Sequence, residues 1–160
     1  MNKILLKVNL PVIQTLVDPL LLKLAWAGGF VDGEGCIRIA KHSAKDRVNS
    51  IYNLHLSISQ NRLETLEHCY AAIGMQGSIT EMLNRGNSGR PVHLLTYNCA
   101  DARDALAVLQ PYLVRKAAEA ALALEFAEHL QQSTRGGNTP HTPEEMAIRE
   151  GFYLRMKALK

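Results

Sequence analysis

An α+β fold is what this sequence predicts, with an αββαββα order, extra C-terminal helices, and helices gathered on one face of an antiparallel sheet. Three observations carry that expectation. A capped apolar helix begins at Asp18-Pro19, two pairs of period-two segments follow with a helical segment between them, and helical spacing fills the rest. At 160 residues the chain suits one domain, a size that buries about 70% of its unfolded surface. Apolar residues make up 47% and charged residues 21%, a globular balance and not a disordered one.

Residues 1–17 hold short apolar pieces around Pro11 and are read as an N-terminal arm, leaving residues 18–160 as the single domain. Lys7, Asn9, Pro11, Gln14, Asp18, Pro19 and Lys23 break this region up, so neither a membrane span of about 18 apolar residues nor a secretory leader is expected in it. Cys36, Cys69 and Cys99 form no C-x-x-C pair, which argues for reduced thiols and against a disulfide framework or zinc ribbon. The expected location is a prokaryotic cytoplasm or an organelle, with no secretion and no membrane. A net charge of +3 is compatible with nucleic acid without pointing to it.

Asp18 serves as N-cap and Pro19 as first residue of the opening helix. Alternation marks strands from Cys36 to His42 and from Asn53 to Ser59, with a polar loop at 43–50. Residues 62–73 return to helical spacing and stop at Gly74. A second strand pair, 78–83 and 92–98, flanks a tip carrying Arg85 and Arg90. Helices at 101–109, 115–130 and 143–159 complete the chain, the first stopped by Pro111.

The chemistry concentrates where the first helix ends. Ala25, Gly28, Gly29 and Asp32 recur at i, i+3, i+4 and i+7, a stripe with little side chain that lets another backbone approach. Asp32-Gly33-Glu34-Gly35 then places two acids at a helix C-terminus, against the macrodipole. A positive partner is needed, and a divalent metal ion is the candidate. Glu34 is the residue expected to hold it, with the Gly33 carbonyl beside it. Asp32 has competing roles: holding the turn, pairing across an interface, or touching the metal. The histidines show no H-E-x-x-H spacing and are not read as ligands.

Ala27-Gly28-Gly29-Phe30-Val31-Asp32-Gly33-Glu34-Gly35 resembles the signature nonapeptide of the LAGLIDADG homing endonucleases. It departs by alanine in the first place and by glutamate as the second acid, changes that keep a small apolar residue and a carboxylate. Leu109 to Lys116 is similar to the Leu-Gln-Pro-Phe-Leu stretch of the single-motif class, which implies Lys116 as the active-site lysine. Leu56-Ser57-Ile58-Ser59-Gln60 looks like the strand end that carries a solvent-ordering glutamine, implying Gln60. The family's arginine falls nearest to Arg62, closer in sequence than the family spacing.

That resemblance implies a LAGLIDADG homing-endonuclease-like fold and a metal-dependent DNA endonuclease. Phosphodiester hydrolysis would use Mg²⁺, or Mn²⁺ or Ca²⁺ in its place. One nonapeptide implies a homodimer through Ala25, Gly28, Gly29 and Asp32, acting on a long, pseudo-palindromic duplex. A two-stranded ribbon fits the DNA major groove, so Arg38, His42, Asn53, His55 and Ser57 are expected on one DNA-facing side, joined by Ser78, Thr80 and His93. Lys41, Lys45, Arg47, Arg85 and Arg90 are expected to meet phosphates. The alternative is a non-cleaving nucleic-acid binder, such as an intron RNA splicing maturase.

Overall fold

The computed structural model describes residues 18–42, 49–82, 91–133 and 141–160. The expected arm and the loop residues Lys45, Arg47, Arg85 and Arg90 lie outside them.

Helix α1 (Pro19–Glu34) starts as its cap predicts, with the Asp18 carboxylate accepting from the Leu20 N–H at 2.8 Å. Strands β1 (Gly35–His42) and β2 (Ile51–Gln60) form an antiparallel ribbon. Helix α2 (Leu63–Ile73) ends at Gly74, whose φ of 68° is the left-handed cap that glycine adopts without a Cβ penalty. Strands β3 (Ser78–Met82) and β4 (Val92–Asn98) make the second pair. Helix α3 (Ala100–Leu109) runs into a 3₁₀ turn at Gln110–Tyr112, then come α4 (Ala117–Gln132) and α5 (Pro143–Ala158).

The sheet order is β1-β2-β4-β3, antiparallel throughout, so the expected α+β class is borne out. Its two faces differ by parity. Ile37 and Ile39 of β1, Tyr52, Leu54, Leu56 and Ile58 of β2, and Leu95 and Tyr97 of β4 are buried. They pack with Leu66 and Cys69 of α2, Leu106 and Leu109 of α3, and Phe126 of α4. Each such large apolar side chain contributes about 1.5–3 kcal/mol when fully buried. The alternate residues of every strand face away from the helices, which leaves one side of the sheet uncovered by the described residues.

Candidate active site and nucleic-acid interface

The chain passes from helix to strand with no intervening loop: Glu34 is the last residue of α1 and Gly35 the first of β1. A Cβ on Gly35 would sit 2.6 Å from the Val31 carbonyl oxygen, so this junction requires glycine. Glu34 itself is exposed, and among the described residues no hydrogen bond or ion pair engages its carboxylate.

Asp32, two residues earlier, has a different fate. Its carboxylate accepts the backbone N–H groups of Val114 (2.7 Å), Lys116 (2.9 Å) and Arg115 (3.0 Å). Burial acts to raise its pKa, but the N–H groups of Lys116, Val114 and Arg115 outweigh that and hold it below the ordinary value. Of the roles open to Asp32 in sequence, the structure shows the turn-holding one. It fixes the segment that leads into α4.

The compensation that the helix end requires also comes partly from within the chain. The Lys116 amine and the Arg115 guanidinium (3.1 Å) both donate to the Asp32 carbonyl, one of the orphan acceptors of the last helical turn. Two cations therefore sit at the C-terminus of α1 beside an unpaired carboxylate. Lys116 is 6% exposed, and burial, reinforced by the Arg115 charge, lowers its pKa. With Gly33, Gly35, Arg115 and Glu119 it lines a polar cleft of about 600 Å³. Arg115 escaped sequence reasoning, although its place directly before Lys116 was the available signal.

Gln60 closes β2 at the end of the ribbon that lies beside Gly35, since Gly35 pairs with Ile58. Its Oε1 accepts the Asn61 N–H at 3.0 Å. Arg62 is exposed and occupies the N-cap position of α2, where its side chain makes no capping bond.

The expected small-residue stripe of α1 is divided. Gly28 is buried, and a Cβ there would come within 2.5 Å of Tyr112 Cβ, so this glycine receives the chain's own 3₁₀ turn. Ala25, Gly29 and Gly33 are exposed instead, and a Cβ on Gly29 or Gly33 would meet nothing within 4 Å. Leu21 and Leu22, 47% and 58% exposed, extend this open side toward the start of the helix. Helical geometry explains the split, because 28 and 29 lie about 100° apart around the axis.

On the uncovered sheet face the register lines up Arg38 with His55, Ala40 with Asn53 and Cys36 with Ser57. It continues through His55 with Asn98, Ser57 with Thr96 and Ser78 with Thr96. Arg38, His42, Asn53, His55, Ser57, Ser78 and Thr80 thus share the face expected of them. His93 does not, and Lys41, expected to meet a phosphate, also lies on the other side. His93 has the parity of Leu95 and Tyr97 and belongs to the helix-facing side. Lys41 has the parity of Ile37 and Ile39, and its amine pairs with Glu150 of α5 at 2.7 Å. Thr96 and Asn98 join the open face instead, a consequence of the parity that buried Leu95 and Tyr97 impose.

No protein-family model and no curated protein sequence matches the chain. Solved structures do. The homing endonuclease I-CvuI, crystallised with its target in the presence of Ca, superposes with a TM-score of 0.71 at 23% identity, covering 88% of this chain and 83% of that one. The meganuclease I-SmaMI bound to uncleaveable DNA gives 0.65 at 20% identity, covering 83% of this chain and 44% of that one. The intron-encoded homing endonuclease I-CeuI complexed with DNA gives 0.64 at 15% identity over 84% of this chain and 66% of that one. The chain has the fold of the LAGLIDADG homing endonucleases, as the nonapeptide implied.

Proposed function

We propose that this chain is a site-specific endonuclease that hydrolyses phosphodiesters of double-stranded DNA with a divalent metal ion, acting as a homodimer on a long pseudo-palindromic site. The observation that carries this is Glu34: an exposed carboxylate, unpartnered among the described residues, at a glycine-bounded helix end to which Lys116 and Arg115 are bonded through the Asp32 carbonyl. Solved structures of this fold include I-CvuI with its DNA target in the presence of Ca, and with another target in the presence of Mg.

The donor set fits half of a metal site. Among the described residues no three His, Cys, Asp or Glu side chains gather as a metal centre, whereas Mg²⁺ is commonly held by one or two carboxylates plus phosphate oxygens and water. Glu34, with the Gly33 carbonyl, would hold the ion against a DNA phosphate. When bound, the ion supplies activation of water and stabilisation of the leaving oxygen.

The chain's own residues do the remaining work. Asp32 fixes Val114 to Lys116 against the helix end, which sets Lys116 in the cleft lined by Gly33 and Gly35, the two glycines that flank Glu34. There its positive charge faces the developing charge on the phosphate, an electrostatic effect strengthened by burial. Gln60 stands at the adjoining strand end to order solvent. Arg38, His42, Asn53, His55, Ser57, Ser78 and Thr80 supply the donors and acceptors of the groove-reading sheet. A second copy packed on the open side of α1 would bring a second Glu34 to the opposite DNA strand.

A cleavage assay on a randomised plasmid library with Mg²⁺ tests this. Discrete double-strand cuts are expected. Sequence-selective binding with no cuts would instead assign the chain to the non-cleaving nucleic-acid binders.

A further inference from the structure

The open face carries a cross-strand row in which two polar side chains are bonded to each other before any ligand arrives. Arg38, His55 and Asn98 stand side by side on β1, β2 and β4. His55 Nδ1 lies 2.5 Å from Asn98 Oδ1. An amide oxygen only accepts, so the ring nitrogen carries the proton and donates. Burial, followed by the neighbouring Arg38 and His42 charges, holds the His55 pKa below its ordinary value despite the bond to Asn98, which keeps the ring in its neutral form. Asn98 is exposed at the end of β4. Its backbone is anchored as well. The next residue, Cys99, has a φ of 51°, rare for a residue bearing a Cβ, and its N–H donates to the Leu54 carbonyl at 2.8 Å.

A free asparagine pairs bidentately with adenine, donating to N7 and accepting from N6. Asn98 has its acceptor oxygen turned to His55, so the amide NH₂ is what it offers outward. We infer that Asn98 is a specificity-determining residue that reads an acceptor-only base edge, guanine N7 and O6, and that His55 is the positioning residue which denies it adenine. The inference rests on the DNA-binding function proposed above and deepens it. Neither residue is among those proposed above to act at the metal or the reacting phosphate.

Selection of cleaved sites from randomised duplex DNA tests it, comparing the unaltered protein with Asn98→Ala, His55→Ala and Asn98→Asp. Asn98→Ala should flatten the preference at one base position per half-site, where guanine is otherwise favoured about 5- to 150-fold. His55→Ala should move that same position from guanine toward adenine, a change that mere loosening of the sheet would not produce. Asn98→Asp, which keeps the His55 bond and removes the donor, should move it to cytosine, whose N4 donates. The salt dependence of binding should stay the same in all three, because a base contact and not a phosphate contact is altered. Adenine at that position in the unaltered protein, or identical selected sites in all four proteins, would overturn the inference and leave the endonuclease function standing. Failure of the unaltered protein to select any site would overturn both.

Discussion

Helix α1 presents two glycine-bearing sides that look alike in sequence and behave differently in the fold. On the inner side Gly28 admits Tyr112 so closely that a methyl group has no room, and Asp32 gathers three N–H groups of the following turn. On the outer side Gly29 and Gly33 face open space, between exposed leucines at one end and an unpaired Glu34 at the other. The inner side is a finished intrachain contact. The outer side has the same close-approach composition with nothing among the described residues to use it, which is what a helix kept for a second copy would show.

Substitutions that separate the two sides sharpen this comparison. The largest expected effect is on chemistry. Glu34→Gln should lower cleavage by about a hundredfold or more, the several kcal/mol associated with a metal's charge stabilisation, while gel-shift affinity for the same duplex stays within a few-fold. Loss of binding and cutting together in a folded variant would contradict the assignment.

Next comes Asp32→Ala, which strands three N–H groups and should cost about 2–3 kcal/mol of unfolding free energy in urea titrations. The sign with pH follows from the lowered pKa of Asp32. Its stabilising contribution is complete above the ordinary carboxylate value of 3.8 and disappears as pH falls through the lower folded value. The gap between the unaltered protein and Asp32→Ala should therefore be full at neutral pH and narrow in acid below about 3.8.

The paired glycines give the smaller effects and the sharpest contrast. Gly28→Ala should destabilise the chain by about 1–3 kcal/mol through overpacking against Tyr112. Gly29→Ala, one residue on, should leave the stability of the dilute chain unchanged or raise it by up to about 1 kcal/mol, since a helical glycine is replaced where space is free. In concentrated solution the same Gly29→Ala should weaken self-association. Equal losses of stability in both variants would erase the distinction between the two sides.

Much of this was legible in the residues because local rules and global fold agree. Asp18-Pro19, Gly74 and the alternation through β1 and β2 each name an element boundary that the structure has. The side of each residue was less legible. His93 sits next to Leu94 in a strand where neighbouring positions are both apolar, and only the burial of Leu95 and Tyr97 settles which parity faces inward. Lys41 reads as a surface cation at a ribbon tip, yet its parity takes it toward α5, where Glu150 more than 100 positions away in sequence receives it. Asp32 illustrates the same gap. Its acceptors' partners lie more than 80 residues downstream, so no local pattern distinguishes a turn-holding acid from a metal ligand. Asn98 becomes visible only once β4 is paired with β2.

The mass of the particle that cuts DNA tests the central claim most directly. Light scattering on the protein bound with Ca²⁺ to a duplex recovered by cleavage selection should show two copies of the 17.7 kDa chain per duplex, and Gly29→Arg should reduce this to one copy and abolish double-strand cutting. A single copy of the unaltered chain that binds the duplex and cuts both strands would contradict it.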